Sequence, residues 1–187
     1  MQVIFRRTGE RRYAVVVAVP GKPIQTMSPA PGFDPHIPHD LVHYVVEAEL
    51  GLEVGVFGRA ARGAGTFYAA GPAIDAREQA RLRRKQARRE RSLRRERAHE
   101  EQLETSERLA ALCDVAWRRR HGQRAAPTHA EPSSSISAVD TARVERVVAR
   151  LDRLAPLWHQ LQVGGELAFT WPSMDAATVR SSFARVG

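Results

Sequence analysis

Cysteine is nearly absent from the chain. Cys113 is the single one in 187 residues, so no intrachain disulfide can form and a disulfide-stapled secreted scaffold is excluded. Lysine is almost missing too. Lys22 and Lys85 stand alone among 29 basic residues, the rest being arginine. Aromatic residues make up only 6%. No stretch approaches the ~18 uninterrupted apolar residues that a spanning helix needs. The start, Met1 to Arg7, has no long apolar segment behind its charges, which does not fit a signal peptide. A cytoplasmic protein is therefore expected. Proline and glycine are both lacking between Asp75 and His121, and that gap removes every strong helix breaker from 47 consecutive residues.

What is present is a 43% hydrophobic fraction, enough for a core, and a net charge of +8, which favours an acidic partner. Residues Gln2–Arg7 and Arg12–Val19 read as strands joined by a tight turn at 8–11. The second is apolar on both faces, so it belongs inside a sheet. Six prolines between 20 and 38 rule out a long helix or a central strand there, and the segment reads as a surface excursion. A helix is expected over 38–50. Proline suits its first turn, Asp40 complements the helix dipole, and Leu41, Val45, Ala48 and Leu52 form an apolar stripe widened by Val42 and Val46. Gly51 ends it. A short second helix is expected within 54–62, and a short extended piece over 66–68.

The segment 75–121 reads as one long helix, ~70 Å if unbroken. Its first half carries eleven basic residues against Glu78, Glu90 and Glu96 between Arg77 and Arg97. Its second half turns core-like, from Leu103 to Trp117, and Cys113 lies in that apolar run as a small core residue. Residues 122–136 have linker chemistry. Val144, Val147, Leu151, Leu154, Trp158 and Leu161 then recur at threes and fours, an amphipathic helix expected to pair antiparallel with the 103–117 half. The alternation of Leu167, Phe169 and Trp171 gives a third strand, and 173–187 is left as a short helix or a frayed end. The expected fold is α+β: a small antiparallel sheet made of the N-terminal hairpin and a C-terminal strand, a packed helix, and a long helical pair. Residues 1–172 form one domain, comprising 1–74 with the sheet and histidine helix, the 75–121 helix, the 122–136 linker and the returning 137–172 segment.

Two groups of residues carry chemistry. His39, His43 and Glu47 advance by about 40° at each four-residue step and so share one helix face. Two histidines at that spacing can chelate zinc or another divalent metal, with Glu47 as a third ligand. The pattern His39-Asp40-x-x-His43 resembles the His-Glu-x-x-His signature of zinc metalloproteases. That resemblance covers five residues and implies a zinc ion on the two histidines, with the acid between them as the catalytic base. Asp40 stands where that family has glutamate, one methylene shorter.

The second group is an arginine stripe. Arg77, Arg81, Arg84, Arg88, Arg91 and Arg95 fall at steps of four and three, spanning ~27 Å of helix. Such a row can follow nucleic-acid phosphates through charge-assisted contacts. No aromatic residue is interleaved between Arg77 and Arg97, so single-strand base stacking has no platform there. An acidic protein is another fit, and so is self-association through the Glu100, Glu101, Glu104 and Glu107 cluster of a second copy. The leading expectation is an intracellular binding or adaptor protein whose arginine-rich helix engages an acidic partner such as nucleic acid. The alternative is a metal-dependent hydrolase on the His39/His43/Glu47 face.

Overall fold

The computed structural model describes residues 1–63, 67–69, 80–81, 83–85, 87–88, 91, 97–123 and 138–180. Two N-terminal strands, β1 (Gln2–Gly9) and β2 (Arg12–Ala18), form the expected hairpin. Strand β5 (Glu166–Thr170) joins the free edge of β1 antiparallel. The register decides which side chains meet. Phe5 lies opposite both Val15 and Leu167, and Val3 lies opposite both Val17 and Phe169. All six are fully buried, so the alternation of three strands puts one continuous apolar face on the same side of the sheet.

The sheet is larger than the sequence suggests. Among the described residues it has six strands, in the order β4-β3-β2-β1-β5-β6. Strand β3 (Gln25–Met27) sits inside the proline-rich segment read as a surface excursion, fitted between Pro23 and Pro29 and paired with β2. Proline density forbids a long strand, not a three-residue one. Strand β4 (Tyr68–Ala69) extends that edge, where a short extended piece is expected. Strand β6 (Ala176–Arg180) covers the other edge, and replaces the terminal helix or frayed end expected from the sequence. Pairing with β5 supplies backbone partners that the local sequence does not reveal.

Helix α1 (His39–Leu50) follows Pro38 and ends at Gly51, whose left-handed backbone (φ 63°) closes it. It packs on the apolar face of the sheet. The Tyr44 ring stands 4.9 Å from Phe169 and 6.0 Å from Phe5, centroid to centroid. Helix α2 (Val56–Ala61) adds Phe57, 5.2 Å from Tyr44. Helices α3 (Arg97–Arg120) and α4 (Ala138–His159) lie over α1. Being covered on both sides explains why eight consecutive residues of α1, Asp40 to Glu47, are buried. An amphipathic surface helix would bury only one stripe.

The directions of α3 and α4 differ from the antiparallel pairing expected. Arg118 Nη1 and Trp158 Nε1, near the C-terminal ends of α3 and α4, both reach Asp34 just before α1. At the far end of α1, Ser106 reaches Glu47 and Arg146 reaches Glu49. Each helix therefore runs antiparallel to α1, and the two run in the same direction as each other. Residues 124–137, most of the expected 122–136 linker, lie outside the described residues. Among the described residues no helix is long and apolar enough to cross a membrane.

Candidate functional site

The four polar residues singled out on α1 are split between two ends of the helix. Near its N-terminus, Asp40 turns to the sheet. Its Oδ2 accepts a short hydrogen bond from the Tyr13 hydroxyl of β2. The same hydroxyl lies 2.6 Å from the Pro31 carbonyl. One proton thus faces two acceptors. Burial pushes the Asp40 carboxyl up to about 6, against the pull of Tyr13 and with added repulsion from Glu107. Once Asp40 is protonated it can donate to the phenol oxygen, leaving the Tyr13 proton for Pro31, so both acceptors are then satisfied.

His39 and His43 do meet, as their spacing requires. Their Nε2 atoms are 3.0 Å apart and the rings are edge to face. His43 is buried, while His39 is part-exposed. Gly32 packs on the stem of His39, close enough that a Cβ at Gly32 would fall 2.9 Å from the His39 Cβ. The carboxylate beside this pair comes from α3. Glu107 Oε2 is 3.7 Å from His43 Nε2, and the Glu107 side chain is 59% exposed.

Glu47, the third residue of the expected ligand set, has other partners. It is fully buried and receives the backbone N–H groups of Val56, Phe57 and Gly58, at 2.6, 2.9 and 3.4 Å. The Ser106 hydroxyl of α3 adds a fourth contact at 3.3 Å. The carboxylate therefore caps the first turn of α2, where unpaired backbone donors and the helix dipole favour a negative group. Gly55 makes this possible, since a Cβ there would lie 2.1 Å from the Glu47 carboxyl carbon. Burial still pushes the Glu47 carboxyl up to about 7, against those four hydrogen bonds. Among the described residues no group of three or more His, Cys, Asp or Glu side chains is gathered closely enough to hold a metal ion as it stands.

The arginine stripe is described at four of its six positions. Arg81, Arg84, Arg88 and Arg91 are helical and exposed, as are Arg83 and Lys85. Ala80 and Ala87 are exposed as well. At 100° per residue these eight positions sample roughly 200° of the helix circumference, all of it open to solvent. Arg77 and Arg95 lie outside the described residues.

One further cluster has no counterpart in the sequence reading. A cavity of about 290 Å³ is lined by His36, Trp117, His121, Asp152, His159 and four neighbouring residues. His36 and His159 stack with parallel rings 6.0 Å apart, and His121 Nε2 is 2.8 Å from Asp152 Oδ1. Arg118, next in sequence to Trp117, bonds both Asp114 and Asp34 at 2.9 and 2.8 Å. These residues come from three distant segments, and no spacing rule links them. No protein-family model, curated protein or solved structure matches the chain.

Proposed function

We propose that this is an intracellular polyanion-binding adaptor whose arginine-rich helix engages nucleic acid through its phosphates. The observation that carries the reading is the exposed helical row of Arg81, Arg84, Arg88 and Arg91, flanked by Arg83 and Lys85. Guanidinium groups at three- and four-residue steps present a line of bidentate donors suited to phosphate oxygens. With no aromatic residue from Arg77 to Arg97, the contacts are to the backbone and carry no sequence preference. The hydrolase alternative has less to stand on. Its base candidate, Asp40, is buried and held by Tyr13, and Glu47 is held by α2.

The test is binding of a labelled duplex of about two helical turns, measured by fluorescence anisotropy at low salt. Replacing Arg81, Arg84, Arg88 and Arg91 together by glutamate should weaken binding by at least ~100-fold, because each position changes from neutralising a phosphate to repelling it. A variant that binds as tightly as the parent defeats the proposal. So does a parent chain that binds an acidic protein, including a second copy of itself, but no duplex.

A further inference from the structure

His39, His43 and Glu107 bring two imidazole nitrogens and a carboxylate to one place, at the contact between α1 and α3. Both imidazoles turn their Nε2 atoms toward each other at 3.0 Å, and the Glu107 carboxylate approaches the same His43 nitrogen at 3.7 Å. Two donors held 2.0–2.1 Å from a tetrahedral zinc ion stand roughly 3.3 Å from each other. The two nitrogens would spread by a few tenths of an ångström, and the Glu107 carboxylate would swing in to complete the set. Glu107 is the member with room to move, its side chain being 59% exposed.

We infer that His39 and His43 of α1 and Glu107 of α3 form a divalent transition-metal site, with zinc the chemically best-matched ion. Two imidazoles and one carboxylate are borderline ligands that suit zinc and cobalt, and poorly suit magnesium or calcium. Without metal, one imidazole donates its Nε2 proton to the other. To bind a metal the donor ring shifts that proton to its Nδ1, which leaves both Nε2 lone pairs for the ion, and because protonation of either ring competes with the metal, binding weakens as the pH falls. Three protein ligands leave a fourth position for water. The carboxylate differs from the Glu47 expected on one helix face, because Glu47 is committed to α2 and the site spans two helices instead. This inference is independent of the arginine helix.

The fold around the three ligands supports their placement. Gly32 lies against the stem of His39, and the Tyr13–Asp40 and Tyr13–Pro31 contacts hold that loop to the start of α1. Ser106, the residue before Glu107, is tied to Glu47, which sets the position of α3 beside the histidines.

The experiment is titration of the full chain with zinc at pH 7.5, followed by isothermal calorimetry, and with cobalt(II), followed by its visible ligand-field bands. The expected result is one ion per chain with a micromolar or tighter dissociation constant and tetrahedral cobalt bands. His39→Ala and Glu107→Gln should each weaken binding at least 10-fold. Both sites are part-exposed or exposed, so these variants should fold, which circular dichroism checks. His159→Ala, in the separate three-histidine cavity, should leave the affinity unchanged. The inference is overturned if the parent binds no zinc at 100 µM, a concentration of about 0.1 mM well above the expected constant. It is equally overturned if Glu107→Gln binds as tightly as the parent, or if His159→Ala removes the binding.

Discussion

Helix α1 and the described helical residues between 80 and 91 are both rich in ionisable side chains, yet they treat them in opposite ways. On α1 two of the three carboxylates are buried and answered, Asp40 by Tyr13 and Glu47 by three backbone N–H groups and Ser106, and the half-buried Glu49 is paired with Arg146. On residues 80–91 the described cations are exposed at every position. A buried polar group without a partner costs far more than a satisfied one contributes. Charges on α1 therefore report on folding, while the exposed arginines have little to do with it. That contrast predicts where substitutions will be felt.

The largest effect on stability is expected from Glu47→Ala. It removes the acceptor shared by four donors and leaves the α2 amides buried, a loss of about 3 kcal/mol by urea denaturation. A loss under about 1 kcal/mol would show that the cap is dispensable. Gly55→Ala follows at about 2 kcal/mol, because its Cβ occupies the space of the Glu47 carboxylate and forces the cap apart. If α2 shifts to make room at no loss of stability, the tight fit at Gly55 is not what fixes the cap. Tyr13→Phe should lose about 1 kcal/mol, by deleting the hydroxyl shared between Asp40 and Pro31.

A pH effect of similar size follows from Glu47. Its folded value of about 7 lies above the ordinary 4.5, so between those values the folded chain holds a proton that the unfolded chain releases. The proton favours folding, and this contribution is complete below about 4.5 and lost as the pH rises through 7. Asp40 adds the same sign over a lower window, from 3.8 to about 6. The parent should lose about 1 kcal/mol more between pH 6 and pH 8 than Glu47→Gln does. Equal slopes in the two proteins would place the titration elsewhere. The smallest effect belongs to the arginine helix. Reversing Arg81, Arg84, Arg88 and Arg91 should shift stability by no more than ~0.5 kcal/mol, the usual range for exposed sites. A larger loss would mean that these side chains support the fold, and would erode the contrast with α1.

The sequence made the secure parts of this fold legible where local pattern and burial coincide. Alternation in Val3/Phe5, Tyr13/Val15/Val17 and Leu167/Phe169 marks the central strands, and helical spacing marks α1, α3 and α4. Strands β3 and β6 were not legible, because short edge strands are defined by the neighbour they pair with. The shared direction of α3 and α4 was hidden for the same reason, since a helix pattern gives a face but not a polarity. At the site, spacing correctly brought His39 to His43. It could not show that Glu47 points to α2, or that Glu107, sixty-four residues after His43, approaches the pair instead. The cavity of His36, His121 and His159 is assembled from a loop and two helix ends, and only the folded chain brings these together.

The most direct test of the central claim, that the exposed arginines serve a polyanion, is the salt dependence of duplex binding. Phosphate neutralisation by four to six cations predicts that log K falls against log salt with a slope of about −4 to −5, at roughly 0.9 per contact. The charge-reversed variant should show no measurable binding over the same range. A slope near zero for the parent, or equal slopes for parent and variant, would contradict it.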